Sequence, residues 1–242
     1  LTARAVSGGG RAGTSGGDRW QLENRRLYLC VPDRPDLEAF VTACIEGGVD
    51  VVQLREKHLG DDELLRRAEL VRAVCADGHV PFVLNDRPDL ARRAGADGVH
   101  VGQQDVDPWT ARGEVGPDAL VGLSTHSTED LVRAGDSGSG PAPVDYVSAG
   151  PVVPTPTKPG RPGTGVGYIG HAVATAPWPV WVTGGVVPES VGALVEAGAR
   201  HFVVVRWLTE ADDPLAHARR LRQAIDLAVS SAPEHPAATG SA

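Results

Sequence analysis

The stretch RAGADGVHV, residues 93–101, runs out of an amphipathic segment, through a glycine, into a short apolar run, and the chain uses the same corner again. EGGVDVV (46–52) and EAGARHFVV (196–204) repeat it. Glycine just past the last helical residue closes a helix in the left-handed conformation, and the β-branched run that follows reads as a buried strand. A helix-to-strand corner used three times implies a chain of βα units.

Working outward from these corners, eight strand candidates emerge: RLYLCV (26–31), VDVVQL (49–54), VPFVL (80–84), DGVHV (97–101), ALVGLS (119–124), VDYVS (144–148), PVWVT (179–183) and RHFVVV (200–205). Helical periodicity is predicted between them over 36–46, 61–75, 88–94, 128–134, 188–197 and 214–229, with Gly47, Gly95, Gly135 and Gly198 closing four of these segments. Leu64, Leu65, Ala68, Val71 and Cys75, for instance, recur at spacings of three and four. Eight strands alternating with helices match the α/β class and a single (β/α)8 TIM barrel over residues 25–230. The main rival is an open, doubly wound sheet, which usually has fewer strands. Residues 1–24, rich in Gly and Ser, and residues 231–242, rich in Pro and Ala, are expected to be flexible tails.

Composition narrows the function classes. The net charge of -8 argues against a nucleic-acid partner, whose binding draws on many Lys and Arg contacts to phosphate. No apolar run approaches the ~18 residues of a membrane span, and the N-terminal stretch lacks the apolar centre of a signal peptide. Cys30, Cys44 and Cys75 are odd in number and widely spaced, which suggests neither a disulfide framework nor a zinc site and fits a reducing cytoplasm. A homo-oligomer is left open.

In a barrel, chemistry gathers where the C-terminal ends of the strands converge. Strand two runs into Gln53, Arg55, Glu56 and Lys57, and strand three into Asn85, Asp86 and Arg87. Strand four leads to Gln103 and Asp105, strand five to Ser124 and His126, and strand six to the loop GPVVPTPTKPG (150–160). The chain has only two lysines, Lys57 and Lys158, and both fall at this mouth, as does Asn85. Arg55, Lys57 and Lys158 suit a polyphosphate, and Asp86 and Asp105 suit a hard cation. Mg2+ binds through one or two carboxylates together with substrate phosphates, so a magnesium diphosphate site uses all five groups. The plainer reading makes Arg55 and Asp86 rim ion pairs worth ~0–1 kcal/mol. Gly184 and Gly185 after strand seven suit either a phosphate facing bare amides or a tight turn.

Other chemistries find less support. GLSTH (122–126) lacks the glycine pattern of a nucleophile elbow and offers no third triad partner. His100 lies within a strand and reads as a packed or hydrogen-bonded residue. No GxGxxG follows the first strand, so a dinucleotide cofactor is not indicated.

QLREK (53–57), NDR (85–87), ADGVHVGQQD (96–105), GLSTH (122–126), GPVVPTPTK (150–158) and TGGV (183–186) together resemble the thiamine-phosphate synthase family in order and spacing, over Arg26 to Val229. The resemblance implies a transferase that joins 4-amino-2-methyl-5-hydroxymethylpyrimidine diphosphate to 4-methyl-5-(2-phosphoethyl)thiazole, releasing diphosphate. It implies further that Gln53, Arg55, Lys57 and Asn85 hold the pyrimidine diphosphate, that Asp86 and Asp105 carry Mg2+, and that Ser124 and Lys158 complete those contacts. Thr155, Thr157, Gly184 and Gly185 would lie near the thiazole and its phosphate. Arg206 and Trp207 stand where many members carry small residues, which leaves Arg206 as a phosphate ligand or a rim ion pair. Two alternatives remain. A thiazole tautomerase of the same barrel family typically carries a histidine where this chain has Pro151, and a non-catalytic phosphate-binding barrel would lack one of Asp86, Asp105 or Lys158.

Overall fold

Strands of four to six residues, apolar on both faces, are what a parallel sheet covered by helices requires. They are β1 (Leu27–Val31), β2 (Val51–Leu54), β3 (Phe82–Asn85), β4 (Gly98–Val101), β5 (Leu120–Thr125), β6 (Tyr146–Ala149), β7 (Val180–Thr183) and β8 (His201–Val204). The computed structural model describes residues 20–135, 142–156, 160 and 162–233. In it each strand pairs in parallel with the next, and β8 returns to β1 to close the barrel. The TIM barrel expected from the repeated corners is the architecture found.

The corners also have a physical explanation beyond their glycines. Asp50, Asp97 and Asp145 sit just before β2, β4 and β6, and each carboxylate accepts a hydrogen bond from an amide of the preceding strand. Leu27 N donates to Asp50 at 2.9 Å, Phe82 N to Asp97 at 3.0 Å and Val121 N to Asp145 at 2.8 Å. Donors at the start of a strand would otherwise be buried without partners. At β8 the arrangement inverts, and His201 Nδ1 donates to the Arg25 carbonyl at 2.6 Å.

Helices follow on the outside: α1 (Leu37–Glu46), α2 (Asp61–Asp77), α3 (Pro88–Ala91), α4 (Pro108–Val115), α5 (Thr128–Gly135), α6 (Gly165–Thr175), α7 (Pro188–Glu196), α8 (Arg206–Thr209) and α9 (Pro214–Ser231). Three of them, α4, α6 and α8, escape the periodicity reading. Only Ala111 of α4 is buried, so no apolar stripe announces it; its start is written instead in Asp107, which caps the amides of Trp109 and Thr110. In α6 the glycines at 165, 167 and 170 mask a helix held by buried Ile169 and Ala172. α3 stops at Ala91, short of the expected residue 94.

Two of the four closing glycines differ from expectation. Gly95 and Gly198 have positive φ, at 63° and 99°, but Gly47 stays right-handed and Gly48, at 106°, takes the left-handed role, while Gly135 is itself the last residue of α5. Residues 22–24, assigned from sequence to the tail, form a short 3-10 turn whose Leu22 is buried in the barrel's inner core. The rest of that tail, residues 1–19, and residues 234–242 lie outside the described residues.

Register decides what faces the barrel interior. Tyr28 pairs with Val51, Gln53 with Val83, Asn85 with His100, Gly122 with Tyr146 and Ser148 with Trp181, so inward residues meet inward residues around the closed sheet. The alternate residues, such as Leu29, Val52, Phe82, Val121 and Phe202, face outward into the core shared with the helices. Inside, Leu22, Val51, Val83, Leu120 and Trp181 make one end apolar. The inward residues at the C-terminal strand ends are polar, so the barrel carries a polarity gradient that ends at the mouth.

Candidate active site

The polar strand ends build a pocket at the mouth. Gln53 (β2), Asn85 (β3), His100 (β4), Ser124 (β5), Ser148 (β6) and Thr183 (β7) all line it, with Arg55 at the rim. All but Thr183 and Arg55 are buried. His100 Nε2 lies 2.9 Å from Ser124 Oγ and His100 Nδ1 lies 3.2 Å from the Tyr146 hydroxyl. A serine beside a histidine is the start of a nucleophilic triad, but here the second ring nitrogen meets a phenol, whereas a triad calls for a carboxylate. Asn85 Nδ2 is buried with no hydrogen-bond partner among the described residues. An orphaned buried donor is costly unless something fills its need, and this one lines the pocket.

Above this floor stands a charged cluster. Lys57 Nζ is 2.6 Å from Asp86 Oδ2, and the Asp86 carboxylate is also within hydrogen-bonding reach of Asp105. Burial pushes the Asp86 carboxyl above its ordinary range; Lys57 opposes that shift and Asp105 adds to it. Asp105 is in turn held by the Gly102 amide at 2.9 Å. Asp86 itself has φ of 61°, unusual for a residue with a side chain. The Asp86 amide donates to the His100 carbonyl and the Arg87 amide to the Asn85 carbonyl, both at 2.8 Å, which closes a three-residue turn about Asp86. That turn sends Asn85 inward and Arg87 outward, where Arg87 pairs with Asp61 and Asp89 on the rim.

A second, larger cavity of about 450 Å³ adjoins the first and shares Thr183, Val203 and Val205 with it. Thr155, Gly184 and Gly185 line it, together with Val153, Arg206 and Trp207. Both glycines have positive φ, 87° and 82°, and both abut the loop after β6: a Cβ on Gly184 would meet Pro151 Cβ at 2.4 Å, and one on Gly185 would meet Val153 Cγ2 at 2.5 Å. The tight-turn reading of this pair therefore holds, and the pair also lines the cavity. Arg206 is bound by Glu210 at 2.7 and 3.1 Å, so the rim ion pair is the arrangement found for it. His126 does not join Ser124; its Nδ1 donates to the Gly150 carbonyl and its amide to Asp130, bracing the start of the β6 loop.

The structure thus brings together Gln53, Arg55, Lys57, Asn85, Asp86, Asp105 and Ser124 at one pocket and its rim, and Thr155, Gly184 and Gly185 at the next. Thr157 and Lys158 lie outside the described residues. Sequence reasoning passed over Tyr28, Cys30 and Ser148, which line the inner pocket, and His217, which lines the outer one. The alternation of inward positions on β1 and β6 is the signal that marks the first three. Among the described residues no group of three or more His, Cys, Asp or Glu side chains gathers as metal ligands, and no helix is long and apolar enough to cross a membrane. Asp86 and Asp105 remain a two-carboxylate set, which is what Mg2+ takes when phosphates supply further oxygens.

The sequence profile described as "Thiamine monophosphate synthase" matches residues 27–208, from the first strand of the barrel to the helix after the last. The chain belongs to the thiamine-phosphate synthase family. The thiamine-phosphate synthase of Thermobifida fusca is 41% identical over 217 residues, covering 88% of this chain and 98% of that protein. That of Acidothermus cellulolyticus is 45% identical over 199 residues, covering 80% of this chain and 91% of the relative. The solved structure of the thiamine phosphate pyrophosphorylase of Pyrococcus furiosus superposes with a TM-score of 0.75 at 26% identity, over 84% of this chain and 96% of that one. A 3-hexulose-6-phosphate synthase, 22% identical with a TM-score of 0.59, shares the fold alone. As a thiamine-phosphate synthase the chain is a transferase, and the tautomerase and binding-protein alternatives give way to identities of 41–45% with synthases.

Proposed function

We propose that the two adjoining pockets hold the two substrates: 4-amino-2-methyl-5-hydroxymethylpyrimidine diphosphate in the inner one and 4-methyl-5-(2-phosphoethyl)thiazole in the outer. The observation that carries this reading is that Thr183, Val203 and Val205 line both pockets, so ligands in the two lie side by side along a common wall. The polar floor of Gln53, Asn85 and Ser124 suits a heteroaromatic ring, and the orphaned Asn85 amide suits one of its acceptors. The outer cavity, with apolar Val153 and Trp207 beside Thr155 and the Gly184 and Gly185 backbone, suits an apolar ring bearing a phosphate.

In the reaction that follows, the protein has little covalent work. Arg55, Lys57 and Lys158 stabilise the charge that gathers on the departing diphosphate, while the floor holds the pyrimidine whose methylene carbon becomes electron-poor. The thiazole nitrogen attacks that carbon. The substitution is dissociative: the bond from the methylene to the diphosphate oxygen breaks first, the electron-rich aminopyrimidine delocalises the positive charge left behind, and the nitrogen then closes the new bond through its lone pair, so no general base is needed. Asp86 and Asp105 would hold Mg2+, which when bound supplies further positive charge at the diphosphate oxygens. The shared wall keeps the nucleophile beside the carbon it attacks, converting a bimolecular encounter into a local one. The three cysteines are buried thiols, none of them in a disulfide among the described residues, which agrees with work in a reducing cytoplasm.

The test is an incubation with both substrates, with and without Mg2+, following thiamine phosphate and diphosphate together. Equimolar products that require the metal are expected. Turnover of Lys158→Ala at the wild-type rate would take Lys158 out of the mechanism, and isomerised thiazole as the sole product would restore the tautomerase reading.

A further inference from the structure

Beneath the inner pocket an unbroken run of hydrogen bonds joins two of its floor residues from opposite sides. Gln53 Nε2 lies 2.8 Å from the Tyr28 hydroxyl, and the Tyr28 hydroxyl 2.9 Å from that of Tyr146. From Tyr146 the run passes to His100 Nδ1 at 3.2 Å and from His100 Nε2 to Ser124 Oγ at 2.9 Å. Both phenols are 1% exposed, which keeps them protonated and leaves no bulk water to compete.

Proton counting gives the run a direction. An amide nitrogen only donates, so Gln53 donates to Tyr28. Tyr28 has one proton, and Tyr146 is its remaining hydrogen-bond partner, so Tyr28 donates to Tyr146. The reverse order would strand a buried hydroxyl proton. Tyr146 then spends its own proton on His100 Nδ1, which makes His100 the Nε2–H tautomer and the donor to Ser124. Ser124 Oγ, accepting from His100 and facing Ser148 Oγ at 3.4 Å, has its own proton left for the pocket. Gln53 Oε1 is engaged by the Cys30 thiol at 3.4 Å, so what Gln53 has left to offer is its second N–H.

A separate feature of the sequence makes room for this run. Gly122, on β5 between His100 and Tyr146, lies directly against their contact, and a Cβ there would come to 2.1 Å from Tyr146 Cζ, 2.4 Å from its hydroxyl and 2.5 Å from His100 Nδ1. Its φ is not among the positive ones, so backbone freedom does not explain the glycine; space for the Tyr146–His100 bond does.

We propose that Tyr28, Tyr146 and His100 are positioning residues that fix the proton direction of the floor, so that Ser124 and Gln53 both present donors to unprotonated ring nitrogens of the pyrimidine. This rests on the reading of the inner pocket as the pyrimidine site. It makes the floor selective for a ring edge of acceptors and unfavourable to a ring whose edge donates there, because two buried donors would then face each other.

The experiment has two arms. In the first, the ¹⁵N resonances of His100 in the wild-type protein, assigned by their loss in His100→Gln, report the tautomer. A neutral ring protonated at Nε2 is expected, and protonation at Nδ1 overturns the proposal. In the second, Tyr146→Phe and Gly122→Ala are compared with wild type under saturation by each substrate in turn. Each is expected to lose about tenfold in kcat/KM for the pyrimidine diphosphate, the worth of one buried hydrogen bond, with the KM for the thiazole phosphate unmoved. Tyr28→Phe combined with Tyr146→Phe should cost no more than the worse single change, since both cut one run. A folded Tyr146→Phe with wild-type kcat/KM overturns the proposal. Ser124→Ala and Gln53→Ala separate the two levels: if they too behave as wild type, the pyrimidine reading of the pocket falls and the relay with it, whereas if they lose activity and Tyr146→Phe does not, the relay alone falls.

Discussion

Lys57 and Asp86 form an ion pair at the barrel mouth, Nζ to Oδ2 2.6 Å, although the proposed chemistry gives the lysine to a diphosphate and the carboxylate to a cation. The pair has its own electrostatic reason: the ammonium offsets part of the repulsion between Asp86 and Asp105, which burial makes more severe. On the proposed reading, a bound metal diphosphate would give each partner a group of the opposite charge and leave the site balanced. Asp86→Asn keeps the volume and tolerates the left-handed backbone at φ 61° but removes the charge. It is expected to lower kcat on the order of 10²-fold while the melting temperature changes little, as read from steady-state kinetics at saturating substrates beside a thermal scan. A kcat within twofold of wild type would remove Asp86 from the reaction.

Gly184 is constrained twice over. Its φ of 87° suits glycine, and a Cβ would sit 2.6 Å from the Pro151 Cα and 2.9 Å from the Val152 amide nitrogen, both backbone atoms that cannot swing aside. The same Val152 amide donates to the Thr183 carbonyl at 2.9 Å, so the loop after β6 is laid on the end of β7 at this point. Gly184→Ala must therefore displace the loop that carries Thr155. A stability loss of about 2 kcal/mol or more is expected in urea denaturation, together with a raised KM for the thiazole phosphate and a smaller change for the pyrimidine diphosphate. Equal effects on both Michaelis constants would mean that the outer cavity is not built by this loop.

Asp50 holds the opposite end of the barrel. Its carboxylate accepts from the amides of Arg26 and Leu27 and pairs with Arg222 of α9 at 2.9 Å, tying β1, β2 and the last helix together. Burial raises its pKa, and the two amides and the arginines act against that. Removing the carboxylate strands two amides and a partly buried guanidinium. Asp50→Ala is expected to cost about 3 kcal/mol of stability with kcat and both KM values at wild-type levels. Urea denaturation with an unchanged slope, together with kinetics on the folded fraction, measures both halves.

The barrel was legible because its signals are local and redundant: Gly95 with Asp97, and Gly48 with Asp50, each mark a helix end and a strand start within a few residues. The mouth was legible because strand ends have a fixed place in this fold, so Gln53, Asn85 and Ser124 follow from where β2, β3 and β5 stop. What lay beneath it was not. Tyr28 and Tyr146 are 118 positions apart, and nothing at either position marks a partner; their contact depends on register around the closed sheet. Gly122 reads as an unremarkable strand glycine until the atoms that would meet its Cβ are known. Helix α6 was hidden for the opposite reason, since its glycines argue against the helix that burial of Ile169 and Ala172 supports.

His201, at the closed end, gives the fold an acid limit. The ring is 9% exposed, packs on Trp181 with centroids 5.0 Å apart, and donates through Nδ1 to the Arg25 carbonyl. Burial, the largest influence, lowers its pKa from 6.5 to about 4; the Arg25 hydrogen bond opposes this, and the charges of Arg26 and Arg200 add to it. The folded ring is neutral, whereas in the unfolded chain it takes up a proton below about pH 6.5, so the unfolded state binds more protons between those two values. Stability from this residue is therefore fully present above pH 6.5 and is lost as pH falls towards 4. Between pH 7 and pH 5 the loss amounts to about 2 kcal/mol. His201→Asn places an amide donor near the Arg25 carbonyl and removes the titration. Urea denaturation at the two pH values should show a drop in wild type that exceeds the drop in the variant by that amount; equal drops would mean that His201 takes up its proton over the same pH range in the fold as in the unfolded chain.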